Sequence, residues 1–442
     1  MRSHQNLLPF IHSIKQNRLV RNITIIIGGT AGAQLITLLA SPIITRLYSP
    51  EAIGMLGSFI ALLSMLLPLA ALSYPMAIVL PRKNSEAVGL AHLSLRLALI
   101  FSFILLIVFL IFGEELIRFM GIENDDDLFI ALSLPCAVLS STFLAICTQW
   151  LIRHKLYKLT SRVVIVQSFI INSLKVGVGT IAPLGKTLIL LSIVGSLLHS
   201  LLLFLIVKYK ETKKYGIPTG IHFNNTLAKE YKAFPIYRSP QGLLVNINQN
   251  MPIILLASLF GPVPAGLYTL CRSTLLIPVT LIAKSVNDVL FPQINEAYIN
   301  AKEVSTLIIK TTLSLVVLAL PGLILFILVG PTLFGFIFGD NWVEAGILSQ
   351  WLALRFYFGF INRGCVAAIS VLRLERFLLV NSILSLLLSG LGFYLGFYFF
   401  HDYVYAIALH SLLSIIPQIL LISFVIFIAK KHDKCLIDSI NS

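Results

Sequence analysis

Long apolar stretches broken by short polar ones run the whole length of the chain. They fall at roughly 22–48, 52–80, 87–112, 128–150, 161–182, 187–207, 234–260, 264–291, 305–329, 343–369, 375–400 and 403–429. Each is long enough for a helix to cross a hydrocarbon core, which takes about 20 residues. Strands of about ten residues alternating apolar and polar positions, the mark of a membrane barrel, are missing. The pattern predicts an all-α polytopic membrane protein of about 12 transmembrane helices. A polar, basic segment at 208–233 divides it into an N-terminal lobe, 1–207, and a C-terminal lobe, 234–442, of six spans each.

The two lobes share a pattern of their own. Pro42-Ile-Ile is followed by Ser49-Pro50, Gly54, Pro68 and Val79-Leu80-Pro81; Pro252-Ile-Ile is followed by Gly261-Pro262, Gly266, Pro278 and Leu290-Phe291-Pro292. The offset stays near 210 residues throughout. An even number of spans per half gives both halves the same orientation. That predicts a parallel repeat about an axis along the membrane normal, an architecture used by transporters with a substrate path at the repeat interface.

Composition agrees with the pattern. Of 442 residues, 57% are hydrophobic and 12% charged, against roughly 25% charged in soluble domains. The net charge of +14 would suggest nucleic acid in a soluble protein. Here the Lys and Arg residues collect in alternate loops, as cytoplasmic loops do. The N-terminus, the even-numbered loops and the tail carry nearly all of them, so both termini are expected in the cytoplasm. Met1 to Arg21 is polar and basic and predicts no cleavable signal peptide. The five cysteines show no CxxC spacing and read as packing residues.

Three local features carry less than they first suggest. Gly28 and Gly32 have the small-xxx-small spacing of close helix contacts, which says nothing about substrate. The acidic run Glu114, Glu115, Glu123, Asp125, Asp126, Asp127 could be read as a calcium site, but the better reading is that its three aspartates cap the fourth span and complement the helix dipole. Gly179-Thr-Ile-Ala-Pro-Leu-Gly185-Lys186-Thr187 resembles a phosphate-binding loop but has one residue too many between its glycines.

The chemistry lies in the charges at membrane depth. Arg96, Lys175, Arg238, Arg272, Lys284, Arg355 and Arg363 fall inside apolar spans, with Asp288 as the acid among them. A buried charge costs about 2.5–3.5 kcal/mol at the bilayer centre even on the lenient insertion scale, so such groups face a cavity or a partner. Gln241, Asn248, Gln249 and Asn287 add polar lining. A cationic cavity suits an anionic substrate, since Arg matches phosphate geometry and Lys acts as a point charge. Asp288 follows Lys284 by four residues and can neutralise it; the alternative role for Asp288 is ion coupling by H⁺ or Na⁺. No catalytic residue, cofactor or metal site is expected, and no nucleic-acid partner.

Three stretches resemble the polysaccharide flippases, the Wzx-type O-antigen and capsule-repeat translocases of the multidrug/oligosaccharidyl-lipid/polysaccharide (MOP) exporter superfamily. They are Ser41 to Glu51 with Gly54; Ala77-Ile78-Val79-Leu80-Pro81; and Phe234-Pro235-Ile236-Tyr237 through Gly266 to Phe291-Pro292. Arg153-His154-Lys155-Leu156-Tyr157 is also family-like, whereas Ser73-Tyr74-Pro75-Met76 departs from the charged pair many members carry before the second stretch. The resemblance implies the bacterial inner membrane and translocation of an undecaprenyl-pyrophosphate-linked oligosaccharide, an O-antigen or other surface-polysaccharide repeat unit, to the periplasmic leaflet by alternating access. Its implied partners are that lipid-linked substrate, membrane lipids and the polysaccharide polymerase or export machinery.

Two other readings remain at this stage. A multidrug or other small-molecule exporter is disfavoured by the shortage of intramembrane acids. A membrane polymerase or ligase would need carboxylates or histidines for chemistry and a large external loop, which the spacing of the spans does not provide.

Overall fold

The computed structural model describes residues 18–119, 127–214, 225–300 and 303–441. The acidic residues Glu123, Asp125 and Asp126 lie outside them, as do the side chains of Glu114, Glu115 and Asp127. Among the described residues every regular element is a helix. The long ones are α1 Arg18–Leu47, α2 Pro50–Ala70, α3 Asn84–Phe119, α4 Asp127–Arg153, α5 Tyr157–Gly179, α6 Gly185–Lys214, α7 Ser239–Phe260, α8 Pro262–Ile299, α9 Val304–Phe338, α10 Val343–Ile361, α11 Glu375–Phe400 and α12 Tyr403–Asn441. Among the described residues, nine helices are long and apolar enough to cross a membrane. The number is ten if the bent pair Asp340–Ile361 and Arg363–Ile369 counts as one span. The chain is a multi-pass membrane protein; α1 and α8, of 30 and 38 residues, are the long helices beyond that count.

Helix boundaries follow local chemistry. Pro50 and Pro262 each occupy the first position of a helix, where the missing N–H costs nothing. Gly261 alone separates α7 from α8, with φ of 87°, a conformation glycine adopts without a Cβ penalty. The turn is therefore shorter than the Gly261–Gly266 segment expected from the sequence. Gly179 and Gly185 of the phosphate-loop look-alike end α5 and begin α6, and the space over Gly179 is filled by the Tyr48 ring.

Two compact units divide the chain. One comprises the chain up to Tyr48 and Phe59–Asn246, the other Ser49–Ser58 and the chain from Ile247. In the first, α1 packs along α5, and α3–α4, α4–α6 and α5–α6 form pairs. A polar seam joins α1 to α5: Ser168 Oγ donates to the Ala33 carbonyl (3.0 Å), and Asn172 Nδ2 to Thr37 Oγ1 (3.2 Å). The close approach in this seam is at Gly29, where a side chain would collide with Ser161; Gly28 faces open space. The expected Gly28–Gly32 contact is thus shifted by one residue, and Gly32 makes only ordinary contact with Ile165.

In the second unit the pairs α9–α10, α10–α12 and α11–α12 recur in the order seen six helices earlier. Its core includes Ile294, Val304, Ile308, Cys365, Val425 and Ala429. Asp433 near the end of α12 accepts the Val304 and Ser305 amides at 3.0 and 2.8 Å, which caps the N-terminus of α9. Cys147, Cys271 and Cys365 are buried free thiols and Cys136 is exposed; Cys435 is outside the described side chains.

Candidate functional site

A cavity of about 500 Å³ lies in the first unit, lined by Ser73, Ser141, Thr142, Arg238, Gln241 and Asn246 among others. Its walls come from the C-terminal end of α2, the middle of α4 and the N-terminal part of α7. Leu72 and Ser73 adopt left-handed backbone, with φ of 47° and 57°, a region bulky residues rarely enter. This sharp break ends α2 and leads into the 3₁₀ turn Tyr74–Val79. Arg238 closes a π turn, Phe234–Arg238, immediately before α7; such wide turns are frequent at functional sites. Ser239 Oγ donates to the Pro68 carbonyl at 2.6 Å, and Gly242 lets α7 approach Pro68 closely.

Arg238 is exposed, and its Nη1 donates to Gln241 Oε1 at 3.4 Å. The partner is neutral, so the charge at the cavity is not cancelled. Thr142 Oγ1 is buried at the cavity wall without a hydrogen-bond partner. A buried hydroxyl of this kind is satisfied by a water or by a polar group in the cavity.

A second polar group lies in the second unit. Arg272 Nη1 donates to Asn250 Oδ1 at 3.2 Å. Arg355 Nη1 reaches the Tyr268 hydroxyl at 3.3 Å and His410 Nε2 at 2.8 Å. A guanidinium has no acceptor, so Nε2 of His410 must accept. The imidazole is then neutral with its proton on Nδ1, which faces Ser389 Oγ at 2.8 Å. His410 and Ser389 are completely buried. Arg272 and Arg355 are near enough to repel one another, and among the described residues neither has a carboxylate within 4.0 Å.

The other expected site residues are dispersed. Lys175, on α5, does not line the cavity of its unit; its carbonyl accepts the Tyr48 hydroxyl at 3.0 Å. Arg96 is exposed on α3. Arg363 opens the short helix Arg363–Ile369, with its Nε buried and unpartnered. Asn248 is half-buried and Gln249 exposed on α7. Lys284, Asn287 and Asp288 lie on α8, but their side chains are outside the described residues, as is any Lys284–Asp288 pairing. Tyr268, Ser389 and His410 were not singled out from the sequence. They come from three helices, and Tyr268 and His410 lie 87 and 55 residues from Arg355, so no helical spacing links them to it.

Arg153, by contrast, has a structural partner set. Its Nη1 donates to the carbonyls of Ile78 (3.1 Å) and Pro81 (2.6 Å), and its Nη2 to Asn84 Oδ1 (3.1 Å). Two of the family-like stretches therefore meet: the arginine of one clamps the Ala77–Pro81 run of the other.

Residues 43–346 match the family described as polysaccharide biosynthesis protein. The capsular polysaccharide biosynthesis protein CapF of Staphylococcus aureus is 24% identical over 262 residues, 50% of this chain and 65% of that protein. The match thus spans just under two thirds of that relative's length. Among solved structures, the lipid II flippase MurJ in an inward closed conformation superposes with a TM-score of 0.72 at 13% identity, covering 92% of this chain and 90% of that one. An inward-facing multidrug resistance MATE family transporter of the MOP superfamily superposes with a TM-score of 0.66 at 14% identity, covering 92% and 96%. At these identities the likeness is one of fold.

Proposed function

The chain belongs to the polysaccharide biosynthesis protein family, and from that premise we propose that it is a transporter that flips a lipid-linked oligosaccharide across the bacterial inner membrane. The cargo is a surface-polysaccharide repeat unit, O-antigen or another glycan, carried on undecaprenyl pyrophosphate. It moves from the cytoplasmic to the periplasmic leaflet, with both termini of the chain in the cytoplasm. Two lobes, 1–207 and 234–442, joined by the basic segment 208–233, rock about the cationic residues in alternating access. The helix pairings that recur in the two compact units support this two-lobe reading.

One observation carries the proposal: among the described residues, three of the cations expected at membrane depth have neutral hydrogen-bond partners. Arg238 is held by Gln241, Arg272 by Asn250, and Arg355 by Tyr268 and His410. Neutral partners fix the side chains and leave the charge available. An anionic pyrophosphate gains from that field, and a cationic drug is repelled by it. No covalent chemistry is required. Asp288 remains a candidate for ion coupling.

The test is deletion of the gene in its native host, with surface polysaccharide and lipid-linked intermediates read together. Loss of surface polymer with complete repeat units trapped in the cytoplasmic leaflet is the expected result. Complete units reaching the periplasmic leaflet would place the protein at a later, enzymatic step. Unchanged polysaccharide would mean a different exported substrate.

A further inference from the structure

The second unit holds an apolar slot of about 170 Å³ between α8, α9 and α10, lined by Leu275, Val279, Leu318, Gly322, Phe326 and Phe360 among others. Its volume is well below the roughly 300–1,000 Å³ of a pocket that encloses a whole ligand, so it suits part of a chain. Leu318 on its rim is 57% exposed, so the slot opens sideways. At Gly322 an added Cβ would meet nothing within 4 Å: the glycine leaves room that the packing does not fill.

The slot adjoins charge. Arg272, Leu275 and Val279 are spaced by three and four residues, so they lie along one stripe of α8. Leu275 is about 4.5 Å along the axis from Arg272, at 1.5 Å per residue. On α10, Arg355 immediately precedes Phe356, another lining residue. One end of the apolar slot therefore borders Arg272, which among the described residues has no carboxylate within 4.0 Å.

Depth decides between occupants. Arg272 is ten residues beyond Pro262, the first residue of α8. With the Gly261 turn taken as the edge of the hydrocarbon, that places it about 15 Å along the helix, near the middle of a core about 30 Å thick. A resting phospholipid keeps its phosphate at the interface. A lipid that lays its chain in the slot and its phosphate on a mid-membrane cation at the same time is one whose phosphate is crossing. We propose that the slot between α8, α9 and α10 holds a segment of the prenyl chain of the lipid pyrophosphate cargo while its phosphates engage Arg272. This rests on the flippase reading and extends it: the tail is gripped by the protein during transit and is not left wholly to the bilayer.

The test uses the purified full chain in detergent, with farnesyl pyrophosphate and inorganic pyrophosphate as probes in calorimetric titration. Wild type should bind the prenylated probe at least tenfold more tightly than the inorganic one. Gly322→Phe should fill the slot and reduce the prenylated probe to the affinity of inorganic pyrophosphate, whose own binding stays unchanged. Ala319→Phe, from the same wall, should do the same, and circular dichroism checks that both variants are helical. Arg272→Ala should weaken both probes. If both filled-slot variants bind farnesyl pyrophosphate like wild type while Arg272→Ala weakens both probes, the slot proposal fails and the anion reading stands. If Arg272→Ala changes neither probe, the cationic reading falls and the slot proposal with it. Displacement of farnesyl pyrophosphate by phosphatidylglycerol at equal concentration would make the slot a bulk-lipid site and overturn the assignment.

Discussion

Gly54 of α2 and Gly266 of α8 pack backbone to backbone with reciprocal partners. A side chain on Gly54 would overlap the Pro262 carbonyl, and one on Gly266 would overlap the Pro50 carbonyl. Both contacts lie within the second compact unit, to which Ser49–Ser58 belongs. The two Pro–Gly pairs are the repeat-related positions of the sequence. Each helix thus presents the same patch to the other, the signature of a local two-fold contact.

This predicts that Gly54→Ala and Gly266→Ala are equivalent in effect. Overpacking typically costs about 1–3 kcal/mol, and here the obstacle on each side is backbone, which cannot rotate away. Either variant should lower the detergent thermal midpoint. The double variant should not be additive, because one forced separation of the helices relieves both clashes. A midpoint within error of wild type for the single variants would contradict the close packing. Gly322→Ala, where the Cβ meets open space, is the matched control and should leave the midpoint unlowered.

Arg153 gives a prediction about structure. Hydrogen bonds from a charged group contribute roughly 1.5–3 kcal/mol, and this guanidinium holds two carbonyls and Asn84 around the 3₁₀ turn. Arg153→Ala should therefore destabilise the first unit by about 3 kcal/mol in total. Arg153→Lys should recover only part of it, since an ammonium cannot reproduce the fork. Amide hydrogen exchange across residues 74–84 is the readout, and protection like that of wild type in Arg153→Ala would refute the clamp.

The sequence made some of this visible and hid the rest for identifiable reasons. Helical spans are legible because each must be long and apolar on its own. The Pro50/Gly54 and Pro262/Gly266 repeat is legible because proline and glycine mark backbone geometry wherever they occur. Arg272 and Arg355 stand out because charge is rare in such spans. What holds Arg355 does not stand out: His410 is an ordinary residue until α12 brings it to Arg355, with Ser389 of α11 behind its ring. The glycine that makes close contact in α1 is Gly29, and spacing alone selected Gly28 and Gly32. A rotation of one residue changes the face, and only packing fixes the rotation.

Asp433 caps a helix that is not its own. Its carboxylate accepts the Val304 and Ser305 amides, two of the orphan donors at the start of α9. Asp433→Asn keeps one acceptor oxygen and loses the charge that complements the dipole. The expected loss is about 1 kcal/mol, with Asp433→Ala costing more, up to about 2 kcal/mol. Faster exchange at the first turn of α9 should accompany both. Wild-type protection there in Asp433→Ala would show that the cap contributes nothing.

The Arg355–His410 pair separates charge from position. If Arg355 serves the cargo's phosphates, Arg355→Ala should reduce flipping at least tenfold, a factor worth about 1.4 kcal/mol, with expression and topology preserved. Arg272→Ala should behave alike. His410→Gln retains an acceptor for the guanidinium and should keep much of the activity. His410→Leu removes that acceptor and leaves the buried Ser389 hydroxyl without its ring partner, a cost of about 1–3 kcal/mol in stability. Its Arg355 still has Tyr268, so the guanidinium keeps its charge but loses one of the two contacts that aim it. Flipping should then fall further in His410→Leu than in His410→Gln at matched expression. Wild-type export from Arg355→Ala and Arg272→Ala together would remove the cationic mechanism. Equal loss in both His410 variants would instead mean that the imidazole has a role of its own beyond holding Arg355.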